Sequence, residues 1–332
     1  MKKPALLAAT ALGLALWTTP PAAAADFSGA RITVIVKATT SQYWATVFAG
    51  ADAAAKVLGV QVSKLGAQAE TDVAGEVSVM ENAIASKPAA IVIAATNAQA
   101  LAQPIANATA AGIPVIVIDS NANTDKYVTF LATNNVTGGE KAADEVAACV
   151  KARTGKQEGS VAYMTALAGA QSLNDRDKGF VERLKTYPGL KIVEHRVGND
   201  DPARALSDAE DILTRHPDLV GLFADNELEG DGAGRAIQEK SLGKKLCAVA
   251  FDTSDQEVGF VRKGALDGLI VQNPYMMGYA GVWYGLAASR GAVFPHYVDS
   301  GVQVVTKANI DSPVMAGLLD PKKYQLTPFL GQ

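Results

Sequence analysis

Residues 91–120 read IVIAATNAQALAQPIANATAAGIPVIVIDS, and this stretch decides the fold class. Ile91 to Ala95 is a short apolar run rich in β-branched residues, and Pro114 to Ile118 is a second. An Ala-rich segment of helical character, closed by Gly112, joins them. Uninterrupted apolar strands are buried on both faces, as in parallel sheets, and a strand, a helix and a second strand make a right-handed crossover. Ligands of such sheets bind beyond the carboxyl ends of the strands. Ala94 to Asn97 and Asp119 to Asn121 are therefore expected to line one crevice.

The alternation extends in both directions. Upstream, Ile32 to Lys37 and Val60 to Leu65 read as strands, with helices over Trp44 to Leu58, closed by Gly59, and over Asp72 to Ser86. Tyr127 to Ala132 is a further extended segment. The pattern then restarts, with helices at Gly138–Lys151, Arg176–Tyr187, Pro202–Arg215, Leu228–Glu239 and Gln256–Lys263. Strands fall between them at Ser160–Thr165, Lys191–Val197, Leu219–Ala224, Leu246–Phe251 and Leu269–Gln272. Two doubly wound α/β domains of similar size follow. Beyond them, Met276 to Ser289 reads as a helix that could cross back onto the first domain, Tyr297 to Gly301 and Val302 to Thr306 as extended, and Asp311 to Gln332 as irregular.

Met1 to Ala25 has the form of a secretory leader: Lys2 and Lys3, an apolar stretch from Ala5 to Trp17, and small residues at Ala23 to Ala25 before Asp26. The apolar run is shorter than the ~20 residues needed to span a bilayer. The chain has a formal net charge of −4, and loss of the leader's lysines makes it more acidic. That balance argues against a nucleic-acid surface, which needs clustered positive charge. Cys149 and Cys247 form an even pair, which in an oxidising compartment favours a disulfide over two buried thiols. Cys149 ends a helix and Cys247 starts a strand of the same domain, so both should lie at the end away from the cleft.

Catalytic signatures are missing from the sequence. His195, His216 and His296 lack metal-ligand spacing, no phosphate loop or Gly-x-Ser-x-Gly elbow occurs, and the glycines of Gly230 to Gly234 fall within a helical segment. No enzymatic role, cofactor or metal is expected. Polar residues recur instead at strand ends: Lys37, Asp119, Asn226, Asp252 and Gln272. Carboxylates and amides in such places can exchange hydrogen bonds with neighbouring hydroxyls. Tyr43 and Trp44, just beyond the first strand, could cover the apolar face of a sugar ring.

With these residues assembled, the mature chain resembles the periplasmic binding proteins of the ribose-binding type that feed ABC importers. The resemblance is carried by Tyr43-Trp44, Gly112-Ile113-Pro114-Val115 leading to Asp119, Asn134-Asn135 with Gly138-Gly139, and Arg176 with Gly179-Phe180. It continues through His216-Pro217-Asp218, Phe223-Ala224-Asp225-Asn226 and Phe251-Asp252. It implies the type I fold, with lobes of residues 26–133 plus 274–301 and 134–273 plus 302–332, joined by three crossing strands near Thr133, Asn273 and Gly301. A small sugar or polyol would lie between the lobes of a periplasmic monomer, with permease membrane subunits as the partner and no nucleic acid. Carried over by position, Tyr43 and Trp44 look like the stacking pair, Phe251 like a second stacking aromatic, and Asp119, Asn226, Asp252 and Gln272 like hydroxyl readers. Lys37, Ser41, Ser120, Asn174 and Arg176 complete the expected ligand set.

The chain departs from the ribose pattern at Ser120 and Asn174, where ribose binders have arginines, at Ala94 in place of Asn, at Asp200 in place of an aromatic, and at Lys37 in place of a small polar residue. Lys37 with Asp119-Ser120 looks more like members that bind polyols or small signals of the autoinducer-2 kind. A partnership with a chemoreceptor or sensor kinase is therefore the alternative reading. A sugar-responsive repressor would need an N-terminal helix-turn-helix where this chain has its leader.

Overall fold

The computed structural model describes residues 29–320; the expected leader, Met1 to Ala25, lies outside the described residues. The chain begins with β1 (Arg31–Val36), α1 (Gln42–Leu58), β2 (Gln61–Gly66), α2 (Val73–Ala85), β3 (Ala90–Ile93), α3 (Ala102–Ala110), β4 (Val115–Ile118) and β5 (Thr129–Ala132). There follow α4 (Asn135–Thr154), β6 (Gly159–Thr165), α5 (Gln171–Leu184), β7 (Leu190–Val197), α6 (Pro202–Arg215), β8 (Leu219–Ala224), α7 (Glu227–Glu239), β9 (Cys247–Phe251), α8 (Asp255–Lys263) and β10 (Gly268–Val271). It closes with α9 (Pro274–Ala288), β11 (Tyr297–Asp299), β12 (Gln303–Thr306) and α10 (Pro313–Leu319).

The strands form two sheets, ordered β11-β5-β4-β3-β1-β2 and β12-β10-β9-β8-β6-β7. Every pairing is parallel except β10 with β12. Each lobe thus repeats one doubly wound order, second strand at the edge and first beside it, whose ligand crevice lies at the carboxyl ends. In the first lobe, alternate residues of β1 feed opposite cores. Ile32, Val34 and Val36 pack with Val47, Ala51 and Met277 of α1 and α9, whereas Ile35 packs with Met80, Leu101 and Ile105 on the other face.

The chain passes between lobes three times, after β5, after β10 and after β11. Thr133 Oγ1 ties two of these passages, lying 3.2 Å from Ser300 Oγ and 3.2 Å from the Gly301 carbonyl. Cys149 and Cys247 are joined as a disulfide with Cα atoms 5.8 Å apart. It pins α4 to the first residue of β9, five positions before the strand-end Asp252.

The largest departures from the sequence expectation fall at three helices. The fifth helix starts at Gln171, not Arg176, because its N-cap is Ala170, which offers no side-chain signal. The fourth runs from Asn135 to Thr154 because Asn134 caps it and Gly155 closes it in the left-handed region. The segment expected to be irregular contains α10, capped by Ser312 with Pro313 at its first turn.

Candidate functional site

The cleft between the lobes is walled by residues that follow the carboxyl ends of β1, β4, β8, β9 and β10: Lys37, Asp119, Asn226, Asp252 and Gln272. Ser41, Tyr43, Trp44 and Glu70 complete the first lobe's wall, and Ser172, Leu173, Arg176, Asp200, Glu227 and Leu228 the second's.

Asp119 and Asp252 each follow the fourth strand of their lobe, and each holds a left-handed backbone, with φ of 59° and 75°. Asp tolerates that region better than most residues. Both still donate the main-chain N–H to the neighbouring strand, Asp119 to Leu131 at 3.1 Å and Asp252 to Ile270 at 2.9 Å. The turn then diverts the side chain into the cleft.

Each carboxylate meets a buried cation. Lys37 Nζ lies 2.9 Å from Asp119 Oδ2 and donates to Ser120 Oγ at 2.6 Å. Burial alone would lower the lysine's pKa, but Asp119 and Glu70 together outweigh it and hold the ammonium above its ordinary value. Arg176 Nη1 lies 3.4 Å from Asp252 Oδ2 and donates to the Asp225 carbonyl at 2.8 Å, while Nε donates to Asn135 Oδ1 at 2.9 Å. Burial pushes Asp252 up, opposed by Arg176 and by the Gln272 amide, which donates to Oδ1 at 2.6 Å. Gln272 Oε1 is buried and has no hydrogen-bond partner among the described residues. Tyr43 lends its hydroxyl to Asp119 Oδ1 at 3.2 Å, and Trp44 is held edge-on to Tyr43, its indole N–H donated to Glu70 Oε1 at 2.8 Å.

The structure moves several expected residues. Phe251 is fully buried and does not line the cleft: strand alternation turns it to the sheet face while Asp252 faces the ligand side. Its ring supports Arg176, whose guanidinium carbon sits 3.7 Å from the ring centroid. Asn174 is exposed, because on α5 it lies about 200° around the helix from both Ser172 and Arg176. Ser120 sits behind the cleft wall, its Oγ 2.6 Å from Ser172 Oγ. Ala94 to Asn97 do not line the crevice. The loop carrying Glu70 covers that strand end instead, fixed by Thr96 Oγ1 to the Glu70 carbonyl at 2.7 Å. Ser41, Tyr43, Trp44 and Asn226 are at the cleft as expected.

Glu70, Ser172, Leu173, Glu227 and Leu228 are lining residues that the sequence pattern does not single out, and Asp200, noted there only as a departure, lines the cleft too. Starting α5 one turn earlier would have placed Ser172 beside Arg176. Glu70 and Glu227 are both pushed up to about 7, chiefly by burial, and Asp200 is raised for the same reason. The assembled cleft offers cationic donors, amides and unpaired acceptors around an indole and a phenol, the inventory that holds a small polyhydroxylated molecule.

Two doubly wound lobes closing on one such cleft define the class of two-lobed solute-binding proteins. Within that class the chain belongs to the periplasmic binding protein family, whose domain matches residues 32–292. Among solved structures, it is similar to a carbohydrate transporter solute-binding protein from Agrobacterium radiobacter in complex with D-arabinose. The two are 46% identical with a TM-score of 0.86, covering 88% of this chain and 99% of that one. An ABC transporter solute-binding protein from Agrobacterium vitis with bound D-fucose is 37% identical, with a TM-score of 0.83 and coverage of 87% and 100%. The ribose import binding protein of Haemophilus influenzae is 29% identical over 317 residues, 95% of this chain and 100% of that protein.

Proposed function

We propose that this protein is the solute-binding component of an ABC sugar importer. It captures a monosaccharide or small polyol between its lobes and presents the closed form to the membrane subunits of the permease. The lobes of this reading comprise 26–133 with 274–301 and 134–273 with 302–332. The leader Met1 to Ala25 would deliver the protein to the periplasm as a monomer.

The observation that carries the proposal is the duplicated strand-end acid. Asp119 and Asp252, one from each lobe, face the same cleft, and each is matched to a buried cation and flanked by further donors and acceptors. A fixed carboxylate accepts from two neighbouring hydroxyls while Lys37, Arg176 and Asn226 donate to ring or hydroxyl oxygens. The sugars held by the two Agrobacterium proteins are of this chemical type. Those relatives are transporter components, which favours import over a purely sensory role.

A thermal-shift panel of D-arabinose, D-fucose, D-ribose, D-tagatose and four- to six-carbon polyols tests it, because a ligand of the folded state raises Tm. At least one member at 1,000 times its Kd should stabilise the protein by about 4 kcal/mol. Small-angle scattering should then show a smaller radius of gyration with that ligand. No shift across the panel, or a shift with no compaction, would count against sugar capture by lobe closure.

A further inference from the structure

Across the lobe boundary, the amino ends of two helices meet. α1 of the first lobe starts at Gln42 behind its cap Ser41, and α7 of the second starts at Glu227 behind its cap Asn226. Helix starts carry unpaired N–H groups and partial positive charge, so bringing two together is unfavourable unless an anion lies between them. The Glu227 carboxyl lies there, and its oxygens are the acceptors that the start of α1 needs. Its carboxylate accepts from Tyr43 N at 2.8 Å, from Gln42 N at 3.3 Å and from Ser41 Oγ at 3.3 Å, all on the opposite lobe. The charged groups that act on it include Asp252 beyond β9, Asp231 one turn along α7, and Glu257 of α8, all acidic. A smaller contact of the same kind lies on another side of the cleft, where Asp200 Oδ2 accepts from Glu70 N at 3.1 Å.

We propose that Glu227 is the closure latch: a positioning residue that captures the start of α1 and sets how tightly any ligand is held, without choosing among ligands. This rests on the ligand-capture reading above. All three bonds cross the lobe boundary, so separating the lobes breaks them, whereas interactions such as Asp252 with Gln272 lie within one lobe. The latch therefore weights the closed state and acts mainly on dissociation. A glutamine retains a carbonyl oxygen for Tyr43 N; an alanine retains nothing.

The test is calorimetry of wild type, Glu227→Ala and Glu227→Gln against D-arabinose, D-fucose and D-ribose, with a melting curve of each ligand-free protein. Glu227→Ala should weaken every sugar that binds by a common factor of about tenfold, in line with the loss of one charge-assisted bond. Glu227→Gln should recover affinity to within about threefold of wild type, and ligand-free melting points should agree within about 3 °C. A loss that differs more than about fivefold between sugars would assign Glu227 to ligand reading, and unchanged affinity in Glu227→Ala would make its contacts inconsequential; either overturns the latch. If the wild type binds none of the sugars, sugar capture fails and the latch is judged on the ligand-free protein. Pulsed spin-label distances between the lobes must then lengthen in Glu227→Ala, and an unchanged distribution overturns it.

Discussion

Asp252 shows how much one residue of the cleft is asked to do. Its left-handed backbone aims the carboxylate, Gln272 fixes one oxygen and Arg176 balances the charge. Alanine is a poor probe here, because a residue with φ near 75° loses about 1–2 kcal/mol when it cannot tolerate the left-handed region. Asp252→Asn keeps the turn and an acceptor for Gln272, removes the charge, and sets an amide N–H2 where Oδ2 faces Arg176. A charge-assisted hydrogen bond contributes about 1.5–3 kcal/mol, so this variant should bind the captured sugar about 10- to 100-fold more weakly. Its ligand-free melting point should fall by less than about 3 °C, because open lobes give Arg176 access to water. Calorimetry beside a melting curve checks both, and intact affinity would remove Asp252 from the ligand site. The strand-end acids were legible in the sequence because an apolar run that stops at Asp marks both the strand and its functional end. Phe251, which the resemblance implies as a stacking aromatic, is turned from the cleft because the period of two along a strand sends neighbours to different sides. Glu227 gives no signal, because its partners are more than 100 residues away, whereas Asp200 stands out only as a departure from the ribose pattern.

Helices of both lobes cross by one device. A Cβ on Gly278 of α9 would land on the Val47 carbonyl oxygen of α1, and one on Gly50 would land on Tyr275 of α9. In the second lobe, Gly139 of α4 and Gly179 of α5 stand in the same relation to Arg176 and Val136. These close crossings place the start of α1, with Tyr43 and Trp44, and the start of α5, with Ser172 and Arg176, at the cleft edge. Gly278→Ala should destabilise the protein by about 1–3 kcal/mol through overpacking against backbone that has no rotamer to yield. Gly179→Ala should cost about the same. Denaturant titration measures both, and a loss below about 0.5 kcal/mol at either site would mean that the helices part freely. At this scale the strands were read well, since continuous Val and Ile runs admit few alternatives. The sequence expectation meets the helix start at Pro202, behind its cap Asp201, and departs from it most at Gln171, behind Ala170. The short α10 lies in a Pro-punctuated tail too brief to show a helical period.

At the scale of the whole molecule, the closure proposed above should be coupled to protonation. Separation of the lobes would expose Glu227 and Glu70 to water and move each back toward the ordinary glutamate value of 4.5. In the closed cleft, burial raises each to about 7, with Lys37 opposing the rise at Glu70 and Asp200 adding to it. A carboxyl whose closed-state pKa exceeds its open-state pKa binds protons more tightly when closed, so closing takes up protons. The affinity advantage is complete below about 4.5, declines as pH rises through the window to about 7, and is level above it. Lys37 is held above its ordinary value by Asp119 and Glu70 and stays charged throughout, so it does not mask the trend. Binding should therefore strengthen by about tenfold or more from pH 8 to pH 5.5, because a carboxyl still protonated in the closed cleft and ionised in the open one favours closure roughly tenfold for each pH unit below its closed-state pKa. Calorimetry in buffers of different ionisation enthalpy should register net proton uptake on binding at pH 6 to 7. Glu227→Gln should remove the part of the uptake that belongs to Glu227 and flatten the profile, leaving the part due to Glu70. Proton release on binding, or an affinity that rises with pH across that window, would show that the cleft carboxylates are not the groups that closure buries.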